Sequence, residues 1–174
     1  MAIHNFQGDF ACFNDGLGNF TCQFLGDADA RSWSLTIADY DGDLDLDILP
    51  DVSASYGVWY QNEGSRVFAV VPPAVDNVIA AGHLDDDEFV DVISRAGGGK
   101  IYLNNGDGSF TLSQTLFSGG TFGGPAIGDV DGDTDNDLAL GGRLWVNDGR
   151  GMFSDSGQDL MVPGADSTLS MSRS

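Results

Sequence analysis

Residues 39–47 read DYDGDLDLD, with an aspartate at every second position. The pattern returns at residues 83–91 as HLDDDEFVD and at residues 129–137 as DVDGDTDND. These stretches, called loops 1, 2 and 3 below, begin 44 and 46 residues apart. A period of this length is typical of proteins built from repeated structural units.

A turn sequence of a different kind recurs between the loops, with an asparagine, a glycine and a closing phenylalanine. Its four copies read NDGLGNF (14–20), NEGSRVF (62–68), NNGDGSF (104–110) and NDGRGMF (147–153). Successive copies lie 48, 42 and 43 residues apart, so they keep phase with the loops. Asn-Asp-Gly and Asn-Asn-Gly favour the positive φ angles of tight hairpin turns.

The segments between these motifs have the composition of short strands. SLTIA (34–38), GVWYQN (57–62) and VFAVV (67–71) are rich in β-branched and aromatic residues and are bounded by Gly, Asn and Asp. No segment keeps a 3.6-residue apolar period, so we expect little helix. Each unit of about 45 residues therefore holds four short antiparallel strands, A to D, which predicts an all-β fold of the β-propeller type.

The repeat predicts one domain over residues 1–174, divided into consecutive blades. The predicted divisions are strands B to D of a composite blade (1–30), a blade with loop 1 (31–73), a blade with loop 2 (74–118), a blade with loop 3 (119–163) and strand A of the composite blade (164–174). The two ends of the chain would then complete one blade, giving about four, and such pairing leaves no open sheet edge. A larger ring closed by two chains, and excision from a longer protein, are the alternatives.

The negative charge of the chain limits the classes of partner that it can bind. The formal net charge is −20, from 25 aspartates and 2 glutamates against seven lysines and arginines. The preference for aspartate over glutamate indicates short carboxylates held near the backbone, as in turns and metal loops. Seven cations cannot neutralise a run of phosphates, which argues against nucleic acid and anionic membranes as partners. No apolar run approaches the roughly 20 residues needed to span a bilayer.

Alternating aspartates turn successive carboxylates toward one centre, and calcium takes six to eight oxygen ligands. We therefore predict that Ca²⁺ is the cofactor, with strong sites in loops 1 and 3. The predicted ligands are the side chains of Asp39, Asp41, Asp43 and Asp47 with the carbonyl of Asp45, and the side chains of Asp129, Asp131, Asp133 and Asp137 with the carbonyl of Asp135. A merely solvated acidic turn is disfavoured, because four carboxylates a few ångströms apart repel one another unless a cation compensates.

Loop 2 departs from the pattern. His83 replaces the first aspartate, and Asp86 occupies the position at which the other loops have glycine. Imidazole is a poor calcium ligand. The remaining candidate ligands are Asp85, Asp87 and Asp91, with Phe89 at the carbonyl position. We expect a weaker third site, and an empty or water-filled loop is the alternative.

An EF-hand would require glycine at loop position six and glutamate at position twelve. Here Gly42 and Gly132 stand at position four, and position twelve holds Pro50, Ser94 and Leu140. The strand-like segments that follow also leave no room for a helix. The loops are therefore not EF-hands.

DYDGDLDLD and DVDGDTDND, each followed by a strand and an Asn-Gly turn ending in Phe, resemble FG-GAP/VCBS repeats. Such repeats build the propeller of integrin α subunits and of several fungal and bacterial lectins. The resemblance implies calcium bound between strands A and B at the rim of the ring. Loop 2 departs from the family pattern, and about four blades is fewer than the usual seven.

The two cysteines, Cys12 and Cys22, lie at equal distances from Leu17, which places them opposite each other on a hairpin and within disulfide reach. Two buried free thiols are the alternative. We expect a secreted or cell-surface protein.

Asn19 opens an N-glycosylation sequon. The first ten residues lack the features of a signal peptide, so we expect that one was removed or that the chain was excised.

Catalysis would need a nucleophile and base, or an open metal position. The only imidazoles are His4 and His83, and neither stands in such a constellation. We therefore expect no enzyme activity. A structural module that assembles through its terminal strands, and an accessory domain of a polysaccharide-active enzyme, are alternatives to a recognition module.

The favoured function is recognition of a carbohydrate or an extracellular protein, as in lectins and adhesion proteins. Aromatic side chains offer apolar faces on which a sugar can stack. Tyr60, Tyr102 and Trp145 share one strand C position, which predicts packing between blades. Trp33 breaks that phase and is the candidate ligand-binding residue.

Overall fold

The computed structural model describes residues 2–5, 8–26, 35–51, 58–72, 74–119 and 124–160. Their regular structure is entirely β, with fifteen strands in four antiparallel sheets. No helix occurs in these ranges, so none there is long and apolar enough to cross a membrane. The all-β prediction is confirmed for this part of the chain.

Each sheet is a simple meander in which strands adjacent in sequence are hydrogen-bonded neighbours. Sheet 1 contains β1 (Ala2–Asn5), β2 (Gly8–Asn14) and β3 (Phe20–Gly26). Sheet 2 contains β4 (Leu35–Ala38), β5 (Asp47–Pro50), β6 (Trp59–Asn62) and β7 (Phe68–Val71). Sheet 3 contains β8 (Val78–Gly82), β9 (Asp91–Ser94), β10 (Gly98–Asn104) and β11 (Phe110–Ser118). Sheet 4 contains β12 (Ala126–Gly128), β13 (Asp137–Leu140), β14 (Arg143–Asn147) and β15 (Phe153–Asp159).

The predicted unit of four antiparallel strands is confirmed in sheets 2, 3 and 4. Sheet 1 has three described strands, in the predicted order B, C and D. The strand A predicted within 164–174 lies outside the described residues, as does Trp33. Closure into a ring and the predicted blade boundaries therefore stay predictions.

The repeat is also visible in strand register. The second and third strands of sheets 2, 3 and 4 pair Ile48 with Tyr60, Val92 with Tyr102, and Leu138 with Trp145. The acidic loops lead from the first strand of each sheet into the second. The Asn-Gly turns join the last two strands. Equivalent residues therefore occupy equivalent positions in successive sheets.

The sheets stack face to face in chain order. Ala11 of sheet 1 packs with Ile48 and Tyr60 of sheet 2. Sheets 2 and 3 enclose a second cluster, made of Leu49, Trp59, Val78 and Val92 with the half-buried Tyr102 at its edge. Sheets 3 and 4 enclose a third, which includes Ile93, Ile101, Leu138 and Trp145. Burial of each large apolar side chain contributes about 1.5–3 kcal/mol, so stacking of successive sheets supplies the core.

The hairpin of β2 and β3 carries the predicted disulfide. Cys12 and Cys22 pair directly across the two strands, with their Cα atoms 4.0 Å apart, and form a disulfide bond. Leu17 at the tip is 87% exposed. Asn19 is also exposed and donates a side-chain hydrogen bond to Asp15. The disulfide prediction is confirmed, and glycosylation of Asn19 stays a prediction.

Candidate metal centre

Asp39, the first aspartate of loop 1, holds the backbone of the loop in a tight turn. Its carboxylate accepts hydrogen bonds from the backbone N–H of Gly42 at 2.8 Å and of Leu44 at 2.9 Å. Leu44 has a φ of 73°, in the left-handed region that non-glycine residues seldom adopt. The two bonds to Asp39 compensate this strained backbone.

Loop 3 repeats this conformation bond for bond. The carboxylate of Asp129 accepts from the N–H of Gly132 at 2.6 Å and of Thr134 at 3.2 Å. Thr134 has a φ of 83°, matching that of Leu44. Loops 1 and 3 therefore have the same local structure, as their sequences predict.

Each loop gathers three carboxylates. In each group, one oxygen per residue lies within 4.8 Å of the others. The groups are Asp39, Asp41 and Asp43 in loop 1, Asp85, Asp87 and Asp91 in loop 2, and Asp129, Asp131 and Asp137 in loop 3. Asp47 and Asp133 lie outside these groups. The complete set of ligands in each loop stays a prediction.

These groups fit a calcium ion. Calcium–oxygen distances of about 2.3–2.6 Å allow two ligands of one ion to be up to about 5 Å apart, so a spacing of 4.8 Å is compatible with a shared ion. Carboxylate oxygens are hard ligands of the kind that calcium prefers. Three gathered negative charges also leave a local field that a divalent cation would neutralise.

The last aspartate of each loop is buried and ties the loop to its sheet. Asp47 accepts from the N–H of Tyr40 at 3.0 Å and from the N–H of Asn62 at 2.8 Å. Asp91 and Asp137 accept the equivalent pairs, from Leu84 and Asn104 and from Val130 and Asn147. Each of these carboxylates is at most 1% exposed.

Burial raises the pKa of Asp47 and of Asp91 to about 6, against the opposing effect of the two N–H donors on each. Nearby carboxylates in the same loop add to the rise. A cation in the loop would favour the charged form of these groups.

Loop 2 differs in detail. Nδ1 of His83 lies 3.1 Å from the carbonyl oxygen of Phe89, the predicted backbone ligand. Glu88, at the position of Leu44 and Thr134, lacks their left-handed conformation. Burial raises the pKa of Asp85, with the negative charges of Asp87 and Asp86 contributing. The loop still gathers three carboxylates, but around a different backbone.

In sheets 2 and 4, the glycine of the Asn-Gly turn makes room for a loop side chain. A Cβ atom on Gly64 would lie 3.0 Å from the carboxylate of Asp45, and one on Gly149 would lie 2.6 Å from that of Asp135. Both glycines have positive φ. Asp45 and Asp135 therefore face the turns, which is compatible with their predicted role as backbone ligands.

Sequence reasoning missed the side chains of Asn104 and Asn147, which donate to carbonyl oxygens of the preceding sheet. The recurrence of this asparagine in phase with the loops is the available signal, but in the sequence the chemistry of tight turns already accounts for it. The ion pair between Asp51 and Arg95, at 2.7 Å, was also missed. It joins the ends of β5 and β9 in neighbouring sheets.

A cavity of about 380 Å³ lies between sheets 3 and 4, away from the acidic loops. Its lining residues are Leu116, Phe117, Gly141, Arg143, Trp145 and Asp155. The rings of Phe117 and Trp145 are stacked, with centroids 6.1 Å apart. Arg143 forms an ion pair with Asp155 and also lines a second cavity of about 340 Å³, beside Gln158.

The chain was compared with protein families and with curated proteins. Residues 83–140 match the FG-GAP-like repeat. The matched stretch begins at loop 2, includes β9 to β12 and loop 3, and ends with β13. A comparison with curated proteins gives no match. The resemblance inferred from the sequence is therefore confirmed for this segment, and the chain carries an FG-GAP-like repeat over residues 83–140.

Proposed function

We propose that the chain is a non-catalytic, calcium-binding module of the β-propeller type, in which the ions hold the acidic loops in shape. The observation that carries this proposal is the gathering of three carboxylates in each of the three loops that join the first two strands of sheets 2, 3 and 4. A bound calcium ion would neutralise the charges of each loop. The carboxylates have a structural role in this proposal, since many of their oxygens already accept backbone N–H bonds.

Three observations support the propeller arrangement. Sheets 2, 3 and 4 have four strands each, in the same order. They stack face to face in chain order through the core clusters. Loops 1 and 2 each contact the Asn-Gly turn of the next sheet, which places equivalent loops side by side. Radial packing of such sheets is the architecture of propeller blades.

Calorimetry on chelator-treated protein tests the calcium proposal. We expect at least two sites, and we expect Asp41→Ala and Asp131→Ala each to remove one, because both carboxylates belong to the gathered groups. Asp107→Ala is the matched control, since it removes an exposed carboxylate from a turn. Absence of binding at millimolar calcium would contradict the proposal.

We further propose that the module acts outside the cell and recognises a saccharide. The disulfide between Cys12 and Cys22 favours an oxidising compartment. The cavity between sheets 3 and 4 is lined both by aromatic rings and by planar polar groups. Asp155 neutralises Arg143, so the lining suits a neutral polyhydroxylated ligand better than an anion. A surface of an extracellular protein is the second ligand class that we consider.

Binding to an array of neutral mono- and oligosaccharides tests this proposal. Arg143→Ala should weaken binding about tenfold or more, since a hydrogen bond to a charged group contributes about 1.5–3 kcal/mol. Arg66→Ala removes an exposed arginine that lies over the ring of Phe13 in sheet 1, and it should leave binding unchanged. Equal binding by the two variants would exclude this cavity as the saccharide site.

A second candidate function is assembly through strand exchange. Sheet 1 has three described strands, and β1 occupies the edge at which sheets 2, 3 and 4 carry a further strand. Eight, six and seven residues separate the last strand of each sheet from the first strand of the next. The same spacing after β15 leads to Ser167, within the predicted strand A. An open sheet edge is a template for a strand from the same chain or from another.

Truncation near Pro163 tests whether this segment covers the edge. The shortened chain should be less stable and should form larger species, because an unpaired edge favours association. Cysteines placed at facing positions of β1 and residues 167–172 then distinguish the two cases on a non-reducing gel. Pairing within one chain gives a monomeric product, whereas pairing between chains gives a dimer. An unchanged stability and the absence of both products would refute the pairing.

A further inference from the structure

The asparagine that opens the turn in sheet 3 connects two acidic loops. Nδ2 of Asn104 donates to the carbonyl oxygen of Val90 in loop 2 at 3.2 Å, and to that of Tyr40 in loop 1 at 3.0 Å. Asn104 is 2% exposed, so water does not compete for these bonds. One carboxamide thus holds the carbonyls of two loops in neighbouring sheets.

Sheet 4 repeats this arrangement one step along the chain. Nδ2 of Asn147 donates to the carbonyl oxygen of Asn136 in loop 3 at 3.0 Å, and to that of Leu84 in loop 2 at 2.8 Å. Asn147 is 5% exposed. Because the same bridge forms between two different pairs of loops, it is a feature of the repeat.

These bridges also reach the buried carboxylates. In each bridge, one residue of the earlier loop makes two hydrogen bonds. Its carbonyl accepts from the asparagine side chain, and its own N–H donates to the last aspartate of the same loop. The backbone N–H of the asparagine donates to the last aspartate of the next loop. The resulting buried path runs from Asp47 through Tyr40 and Asn104 to Asp91, and from Asp91 through Leu84 and Asn147 to Asp137. Asp91 and Asp137 are themselves members of the gathered carboxylate groups.

We propose that Asn104 and Asn147 couple the three acidic loops, so that occupation of one loop by calcium raises the calcium affinity of its neighbour. This inference rests on the calcium binding proposed above. An ion that fixes the carboxylates of one loop also fixes the peptide whose carbonyl the bridging asparagine holds. The next loop then loses less conformational freedom when it binds its own ion, which is positive coupling. Coupling of this kind acts equally in both directions.

Asn62 is a natural control within the chain. It opens the equivalent turn of sheet 2, and its side chain donates to the carbonyl oxygen of Leu46 in its own loop. Its backbone N–H donates to Asp47, as those of the other asparagines do to Asp91 and Asp137. Asn62→Ala therefore disturbs the same kind of turn without touching the bridge between loops 2 and 3.

Calcium titration followed by hydrogen exchange and mass spectrometry tests the coupling, because separate peptides report each loop of the full chain. Asp131→Ala disables loop 3 and should raise the calcium midpoint of loop 2 about fivefold or more. Asn147→Ala alone should already raise the calcium midpoint of loop 2, and combining it with Asp131→Ala should raise this midpoint no further. With Asn62→Ala, the response of loop 2 to Asp131→Ala should persist.

The pair formed by loops 1 and 2 repeats the test with Asp41→Ala and Asn104→Ala, should Asn147→Ala fail to fold. The coupling would be overturned if neither Asp131→Ala nor Asp41→Ala changed the calcium midpoint of loop 2, provided that calcium protects each loop of the parent chain from hydrogen exchange. Absence of calcium-dependent protection at every loop of the parent chain would instead refute the calcium proposal itself. The two failures are therefore distinguishable.

Discussion

Aspartates of this chain have different roles that are set by burial and by their partners. Asp39 lies in a loop and binds two backbone N–H groups. Asp47 is fully buried at the start of β5, where burial raises its pKa. Asp51 is 2% exposed and pairs with Arg95 of the next sheet, and its Oδ1 has no hydrogen-bond partner among the described residues. The pKa of Asp51 is raised by burial, which the charge of Arg95 opposes.

Arg95→Ala should destabilise the protein by about 3 kcal/mol, because it leaves a buried carboxylate without its cation. Chemical denaturation measures this loss. Arg143→Ala breaks the more exposed pair with Asp155 and should have a much smaller effect, since water and salt screen that pair. Asp51→Asn combined with Arg95→Ala should recover part of the stability. Equal effects of the two arginine substitutions would contradict the role given to burial.

Among the structural elements, the Asn-Gly turn has a left-handed glycine in every sheet but different surroundings. Gly16 in sheet 1 and Gly106 in sheet 3 have φ values of 83° and 79°. A Cβ atom on Gly16 would meet no atom within 4 Å, whereas one on Gly106 would lie 2.3 Å from the ring of Phe89. The turn in sheet 1 has no acidic loop beside it in the described part of the chain. The turn in sheet 3 packs against loop 2.

Gly16→Ala should cost about 1–2 kcal/mol, the strain of a left-handed alanine. Gly106→Ala bears the same strain and must also displace Phe89, which adds about 1–3 kcal/mol. Denaturant midpoints of the two variants measure the difference directly. If the two substitutions were equally harmful, contact between turn and loop would contribute nothing to stability.

At the scale of the whole molecule, apolar stacking of the sheets opposes electrostatic repulsion. The core clusters lie between successive sheets, while the net charge of −20 is concentrated in aspartates. The three gathered carboxylate groups lie in the loops that lead into β5, β9 and β13. Salt screens repulsion between exposed charges that are farther apart than the Debye length, about 10 Å at 0.1 M salt.

Removal of calcium should therefore lower the melting temperature, and the decrease should be larger at low salt than at high salt. An ion that binds only the folded state stabilises it by about 2.7 kcal/mol at a hundredfold excess over Kd. Scanning calorimetry with and without chelator, at two salt concentrations, measures both effects. Addition of magnesium to the chelated protein is the control for general charge screening. A melt that is indifferent to chelator would show that the loops are not structural metal sites.

The sequence by itself determined the features that depend on neighbours along the chain. Bonds within loops 1 and 3 join residues three to five positions apart, so repeated residues produce repeated conformations. The symmetry of Cys12 and Cys22 about a turn likewise set the disulfide, because an antiparallel hairpin places such residues opposite each other.

Only the tertiary structure decided which side chains connect the sheets. The bond from Asn104 to Tyr40 spans 64 residues, and that from Asn147 to Leu84 spans 63. Asp51 and Arg95 likewise meet across two sheets, and the cavity beside Trp145 forms where β11 meets β14 and β15. Periodicity along a strand shows which face of a sheet is buried, but not how one sheet is shifted or rotated relative to the next. That displacement is set by the packing of all the core side chains together, so the contacts that depend on it follow from the folded molecule as a whole.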